Sequence, residues 1–125
     1  MLFVLMAFLL MGCSSTSADE DEVSPEEALQ GSWLRIVDLT QIRLVINADG
    51  TFTVSYDDLT FEGDYQFDAN GLLVVRDMGC GTLSGVYSMT FTEESRSLIL
   101  GLVEDNCRTR LDRWRGTWTR VGTSR

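Results

Sequence analysis

Few side chains in this chain of 125 residues could do acid–base or nucleophilic chemistry, because it contains no histidine. A serine such as Ser84 or Ser88 therefore lacks the base that usually activates a hydroxyl, and no Gly-x-Ser-x-Gly motif is present. Carboxylates stand side by side at Asp57-Asp58 and at Glu104-Asp105. Since neighbouring residues on a strand point to opposite faces, we interpret both pairs as solvated turn charges. We expect no enzyme activity.

The cysteines Cys13, Cys80 and Cys107 are the other reactive side chains. Cys13 ends the run Leu10-Met11-Gly12-Cys13, which closes a short apolar stretch and resembles the lipobox of bacterial lipoproteins. That stretch is too short to span a bilayer, which needs about 20 residues, but it suits a signal peptide. The resemblance implies a signal peptide over residues 1–12 and a diacylglycerol on Cys13. The alternative is a buried strand or core helix in which Gly12-Cys13 occurs by chance.

The lipobox resemblance implies a location in the cell envelope, with the membrane contacted through lipid on Cys13. Ser14 follows in place of the aspartate that retains some lipoproteins at the inner membrane, so in a Gram-negative host we expect the outer membrane. Residues 13–30 hold six acids and no base, which predicts a flexible acidic spacer. The spacer ends in Ser24-Pro25-Glu26-Glu27, a capping box that predicts a short helix from Pro25 to about Gln30.

Lipidation of Cys13 leaves Cys80 and Cys107 as an even pair in an oxidising compartment, and we expect a disulfide between them. Closing that loop would stabilise the fold by about 3 to 4 kcal/mol. Two free buried thiols are the alternative. Because two cysteines without histidine give too few soft ligands, we expect neither a metal site nor a cofactor.

Alternation of apolar and polar residues predicts an all-β domain over residues 31–121, followed by a tail at 122–125. Gly63 interrupts one alternating strand where a bulge or bend could lie, and Asp49-Gly50 and Asn70-Gly71 favour tight hairpins. The predicted strands are eight: 31–38, 41–47, 51–57, 59–68, 72–77, 85–91, 97–103 and 116–121. A helical turn is expected between Cys107 and Trp114. A meander of eight strands removes its edges by closing into a small up-and-down antiparallel β-barrel.

The charge is distributed unevenly over a chain whose net charge is −9 at pH 7. Residues 31–106 contain four arginines and twelve acids, whereas residues 107–125 contain six arginines and one acid, Asp112. An acidic secreted domain is not expected to bind nucleic acid. The C-terminal arginines either pair with carboxylates or cover a barrel end, or they contact a protein or an anionic ligand.

Gly31-Ser32-Trp33 opens the first strand after a short helix and resembles the Gly-x-Trp signature of lipocalins. Together with Asp105-Asn106-Cys107 and Gly116-Thr117-Trp118-Thr119-Arg120, it makes residues 29–121 similar to bacterial lipocalin-like (calycin-type) lipoproteins of unassigned function. The resemblance implies that Trp33 closes one barrel end beneath an arginine of the last strand. Arg120 is the candidate for that partner, with Arg113 and Arg115 as rivals.

Two functions follow as hypotheses. A barrel of this size could hold one small hydrophobic ligand among its aromatic residues, namely Trp33, Phe52, Tyr56, Phe61, Tyr65 and Phe67. Alternatively those rings fill the barrel, and the protein is an interaction lipoprotein such as an inhibitor or envelope-assembly factor. Its candidate surface is then Met78-Gly79-Cys80-Gly81-Thr82 beside the turn at 108–115.

Overall fold

The computed structural model describes residues 24–122. The predicted signal peptide, Cys13, the spacer as far as residue 23 and the tail beyond residue 122 lie outside the described residues. Helix α1 spans Pro25–Leu29, helix α2 spans Arg108–Trp114, and a 3-10 helix spans Met78–Cys80. The strands are β1 (Gly31–Val37), β2 (Thr40–Ile46), β3 (Thr51–Tyr56), β4 (Leu59–Phe67), β5 (Leu73–Asp77), β6 (Gly85–Thr92), β7 (Ser97–Asp105) and β8 (Gly116–Arg120).

The eight strands form one closed antiparallel barrel in chain order, from β1 to β8, and β8 pairs with β1. The predicted architecture is therefore confirmed, with its short N-terminal helix and its helix before the last strand. Among residues 24–122, no helix combines the length and apolar character needed to cross a membrane.

Helix α1 begins where the sequence predicts it. The Ser24 hydroxyl accepts a hydrogen bond from the backbone N–H of Glu27 at 3.2 Å, and Pro25 occupies the first turn. Both features satisfy or remove backbone donors that a helix start leaves unpaired. Leu29 at the end of α1 is fully buried, so this short helix covers one mouth of the barrel.

The inward faces of the strands build one apolar core. Its largest members are Trp33, Trp114, Trp118, Tyr87 and Phe52, each less than 2% exposed. The remaining members are Leu29, Ile42, Leu44, Ile46, Val54, Leu73, Val75, Leu98 and Leu100. Aromatic rings therefore fill much of the barrel interior, and the rings of Phe52 and Trp114 meet edge to face at 5.0 Å.

Gly63 does not mark a bulge, because it pairs in regular register with Phe52 on one side and Asp77 on the other. A Cβ at this position would lie 2.6 Å from Cζ of Phe52, so the glycine lets that ring approach the β4 backbone. The register shift occurs instead in β6, between Val86 and Tyr87.

The antiparallel order sorts the connections into two ends. The end that carries α2 also carries the 3-10 helix and the turns at 38–39 and 57–58, and we call it the α2 end. The opposite end, the α1 end, carries α1 and the turns at 47–50, 68–72 and 93–96.

Candidate functional site

At the α1 end, Trp33 and Arg120 form a closed arrangement with the C-terminal turn of α1. The Trp33 Nε1–H donates to the Leu29 carbonyl at 2.8 Å, and the Arg120 guanidinium carbon lies 4.2 Å from the centroid of the Trp33 ring. Arg120 also donates to the carbonyls of Gln30, at 2.8 Å, and of Ala28. Of the three arginines considered from the sequence, Arg120 is thus the one over Trp33.

The α2 end repeats this arrangement. The Trp118 Nε1–H donates to the Trp114 carbonyl at 2.9 Å, and the Arg35 guanidinium carbon lies 5.9 Å from the Trp118 centroid. Arg35 donates to the carbonyl of Arg113 at 2.6 Å, again in the last turn of a helix. Each arginine comes from the strand opposite its tryptophan, because β1 and β8 pair antiparallel with Trp33 facing Arg120.

The sequence carries a signal for this repeat that the Gly-x-Trp interpretation missed. Gly31–Arg35 and Gly116–Arg120 share the pattern Gly-[Ser/Thr]-Trp-x-Arg. Both glycines have positive φ, +123° at Gly31 and +138° at Gly116. A Cβ on either would lie within 2.7 Å of the arginine from the opposite strand, Arg120 or Arg35. Glycine is required there for backbone conformation and for space, so the second motif could have been found by comparing the two pentapeptides.

The six aromatic residues proposed as a ligand site do not share one environment. Trp33 and Phe52 are fully buried in the core. The other four are partly buried and form two pairs along β4 and its neighbour, with ring centroids 5.9 and 6.0 Å apart: Tyr56 with Phe61, and Tyr65 with Phe67. The first pair lies under Arg113, whose guanidinium carbon is 5.1 Å from each ring centroid.

A buried ionic cluster centred on Arg110 supports the α2 end. Arg110 is 0% exposed, and its Nε and Nη2 each donate to the Asp105 carboxylate at 2.8 Å. Asp77 approaches the same guanidinium at 3.8 Å, and the Tyr87 hydroxyl donates to Asp105. Such a cluster is expensive to desolvate. The pairing of Arg110 with Asp105 is bidentate, whereas Arg110 Nη1 and Asp77 Oδ1 have no hydrogen-bond partner among the described residues.

The cluster shifts the protonation equilibria of its members. Burial alone would raise the pKa of Asp105, but hydrogen bonds from Arg110, Tyr87 and the Cys107 N–H hold that pKa below its ordinary value. Burial and the neighbouring Asp105 carboxylate raise the pKa of Tyr87. Asp105 is therefore ionised and Tyr87 neutral at neutral pH.

The disulfide predicted from the cysteine count is confirmed. Cys80 and Cys107 are bonded, with their Cα atoms 5.9 Å apart. The bond joins the 3-10 helix to the residue that precedes α2. The candidate surface at 78–82 is therefore covalently attached to the helix beside it.

Exposed apolar side chains concentrate around α2. Within residues 24–122, eight large hydrophobic residues are exposed, and all but Ile99 lie in the half of the barrel nearest α2: Ile36, Leu39, Leu59, Met78, Leu83, Leu102 and Val103. We call these seven the apolar rim. The turns of the α1 end contain polar, glycine and alanine residues and one leucine, Leu72, which is partly buried. Exposed large apolar side chains are thus distributed unequally between the two ends.

Leu39 is the most exposed member of the rim, at 98%, and its backbone is strained. It occupies a two-residue hairpin turn with Asp38, and both have positive φ, 71° and 48°. Turns of this kind favour Asn-Gly, because a residue with a Cβ pays about 1 to 2 kcal/mol in the left-handed region. A strained, fully exposed leucine has no evident structural benefit, which suggests a function.

Three arginines near the rim form no salt bridge with any carboxylate of the described residues. The salt bridges among residues 24–122 join Arg76 to Asp64, and Arg110 to Asp77 and Asp105. None involves Arg35, Arg113 or Arg115. Of the C-terminal arginines, Arg110 pairs with carboxylates and Arg120 covers the α1 end over Trp33, as expected. A contact of Arg113 or Arg115 with a protein or an anionic ligand stays a prediction.

No group of three or more potential metal-ligating side chains is assembled within residues 24–122. Searches of the chain against protein-family models and against curated proteins find no match.

Proposed function

We propose that this protein is a lipid-anchored lipoprotein of the cell envelope, with a lipocalin-like barrel that binds another protein through its α2 end. The observation that carries the proposal is the apolar rim around α2, beside Arg35, Arg113 and Arg115, which form no salt bridge within residues 24–122. A patch of apolar side chains with arginine and few other charges is typical of the centre of a protein–protein interface. The partner surface should be apolar and acidic.

The packing of the barrel favours this proposal over ligand transport. Three tryptophans, Tyr87 and Phe52 contact one another or the aliphatic core and are almost completely buried. The aromatic residues expected to surround a ligand are divided between that core and two partly exposed pairs. A ligand cavity is normally lined by side chains that converge on it.

The test is site-specific photo-crosslinking in the native host. A benzophenone amino acid replaces Leu39 in one strain and Ala69, an exposed residue of the α1 end, in a matched control strain. We expect a discrete cross-linked protein from position 39 only, and its loss when Met78 is also changed to Asp. Equal cross-linking from both positions, or none from position 39, would contradict the proposal.

The anchor is tested separately, because it rests on the resemblance of Leu10-Met11-Gly12-Cys13 to a lipobox. Cys13→Ala should move the protein from the membrane fraction to the soluble fraction. Persistent membrane association of this variant would rule out the lipid anchor, while leaving the interaction surface to be judged by cross-linking.

A small ligand inside the barrel is the second candidate, and one observation favours it. The Trp114 Nε1–H is buried and has no hydrogen-bond acceptor among the described residues, although Phe52 and Tyr87 surround the indole. An acceptor group on a bound molecule would satisfy this donor. Native mass spectrometry of the full chain purified from its host tests the idea, since recovery without any bound molecule would contradict it.

A further inference from the structure

The seam where the barrel closes is short. Strand β1 continues to Val37 and β8 begins at Gly116, yet the two strands pair only at Trp33 with Arg120 and at Leu34 with Thr119. By contrast, β1 pairs with β2 over its whole length. Toward the α2 end, β1 therefore presents an edge that β8 does not cover.

The free edge has hydrogen-bonding groups at Ile36. Ser32 accepts a bond from the Val121 N–H at 2.9 Å, so the even-numbered residues of β1 direct their backbone groups toward β8. The next pair in this register, Ile36 with Thr117, is not formed. The N–H and C=O of Ile36 consequently point into the opening, and the β1–β2 ladder does not use them.

A groove follows the same edge on the outside of the barrel. Its volume is about 330 Å³, and it is lined by Leu34, Arg35, Ile36, Gln41, Thr117 and Thr119. The Ile36 side chain is 69% exposed beside it. Apolar and threonine side chains next to unpaired backbone groups are the features that an added β-strand recognises.

Positive charge lies at the groove, because Arg35 lines it and Arg115 is close enough to act on Arg35. Burial and the nearby charge of Arg115 lower the pKa of the Arg35 guanidinium. Asp38 is the acidic residue nearest to Arg35 in the sequence, and Asp112 contributes only its carbonyl to Arg35, at 3.4 Å. Neither carboxylate forms an ion pair with Arg35 or Arg115 among the described residues, so an external anion would relieve their repulsion.

We propose that the edge of β1 at Ile36 binds an extended segment of a partner protein by β-strand addition, with a carboxylate of that segment beside Arg35 and Arg115. The proposal rests on the α2 end being a protein-binding surface and specifies the partner's chemistry. A strand is favoured over an anionic lipid surface, because lipid headgroups would not use the directed backbone groups of Ile36.

Two short synthetic peptides of alternating Thr and Val test the proposal, one ending in two Asp residues and the other in two Lys residues. The full chain in detergent is titrated with each, and anionic phosphatidylglycerol vesicles serve as a third probe. We expect the acidic peptide to bind more tightly than the basic one and to slow amide exchange at Ile36.

Variants identify the contact. Ile36→Pro removes the N–H at the free edge without breaking the β1–β2 ladder. It should weaken binding of the acidic peptide about fivefold to tenfold. Arg115→Glu should weaken binding of the same peptide about fivefold. Arg96→Glu, the same charge change on the exposed surface of the α1 end, should have no effect.

Three results would overturn strand addition: neither peptide binds, Ile36→Pro binds like the unchanged chain, or only the vesicles bind. Failure of the proposed function is distinguishable from these results. If the Leu39 cross-link to a protein persists in an Ile36→Pro chain, the α2 end binds its partner in another way.

Discussion

The two ends of the barrel share one arrangement of helix, glycine, tryptophan and arginine, but they differ in the structure around it. At each end a helix stops before a glycine with positive φ, a tryptophan donates to a carbonyl in the last turn of that helix, and an arginine from the opposite strand lies beside the ring. Only the α2 end adds a disulfide, a buried ionic cluster and the apolar rim.

This difference indicates which end of the barrel needs the more rigid structure. The shared arrangement of tryptophan and arginine is sufficient at the α1 end, where none of the described turns exposes a large apolar side chain. The α2 end exposes large apolar side chains, which cost stability, and it is also the more heavily braced end. Non-glycine residues with positive φ occur in turns at both ends. Binding surfaces gain affinity when they are preorganised, so the bracing is consistent with an interaction surface.

The largest effect should come from Arg110, the centre of that bracing. Arg110→Met leaves the carboxylates of Asp105 and Asp77 buried without their cation, which should lower the free energy of unfolding by about 3 to 5 kcal/mol. Chemical denaturation measures it. Arg76→Met is the matched control, because Arg76 and its partner Asp64 each have side chains 58% exposed, and it should cost less than about 1 kcal/mol. Similar losses in both variants would remove the contrast between the ends.

The disulfide should have the next largest effect. Replacing Cys80 and Cys107 together by Ala opens a loop of 27 residues, which predicts a loss of about 3.5 kcal/mol in the chain-entropy model. Amide exchange should then increase in the 3-10 helix and α2 and stay unchanged in α1. Uniform loosening of both ends would show that the disulfide does not brace the α2 end specifically.

Most of the fold could be predicted from the sequence because strand and turn signals are local. The Asp49-Gly50 and Asn70-Gly71 turns and the period-two alternation place every strand within two residues of its observed bounds. The cysteine pair could also be predicted, since it depends on counting and on compartment. Gly63 was misjudged, because a ring packing against a backbone is a contact between strands.

Much less of the candidate site could be predicted. The pairing of Arg110 with Asp77 and Asp105 depends on where β5 and β7 end in space. The uncovered edge at Ile36 depends on how far β8 follows β1, which alternation cannot specify. The apolar rim gathers residues from strands β1, β4 and β7 and from the connections after β1 and β5, so only the closed barrel brings them together.

The stability of the two ends can be compared directly by replacing Arg120 and Arg35, the arginines that lie beside the two tryptophans. Arg120→Met removes donors to the Ala28, Gln30 and Ser95 carbonyls as well as the close ring contact, and should cost about 2 to 3 kcal/mol. Arg35→Met removes one bond to the Arg113 carbonyl at 2.6 Å, a longer one to the Asp112 carbonyl at 3.4 Å and a ring contact at 5.9 Å, and should cost about 1 kcal/mol. Unfolding free energies of the two variants decide the order. A larger loss of unfolding free energy for Arg35→Met would mean that the α2 end depends on its arginine and tryptophan more than on its disulfide and ionic cluster.

The smallest effect on stability should have the opposite sign. Leu39→Gly relieves a left-handed conformation that costs about 1 to 2 kcal/mol, and part of this is offset by the flexibility of glycine in the unfolded chain. The unfolding free energy should therefore rise by about 0.5 to 1 kcal/mol. Cross-linking from a benzophenone amino acid at Met78 should fall in the same variant, because the most exposed apolar side chain of the rim is gone. Leu59→Gly provides the comparison, since Leu59 lies at the start of a strand with no positive φ, and should lose stability. If Leu39→Gly leaves cross-linking intact while stabilising the barrel, the strain at this turn has no role in binding.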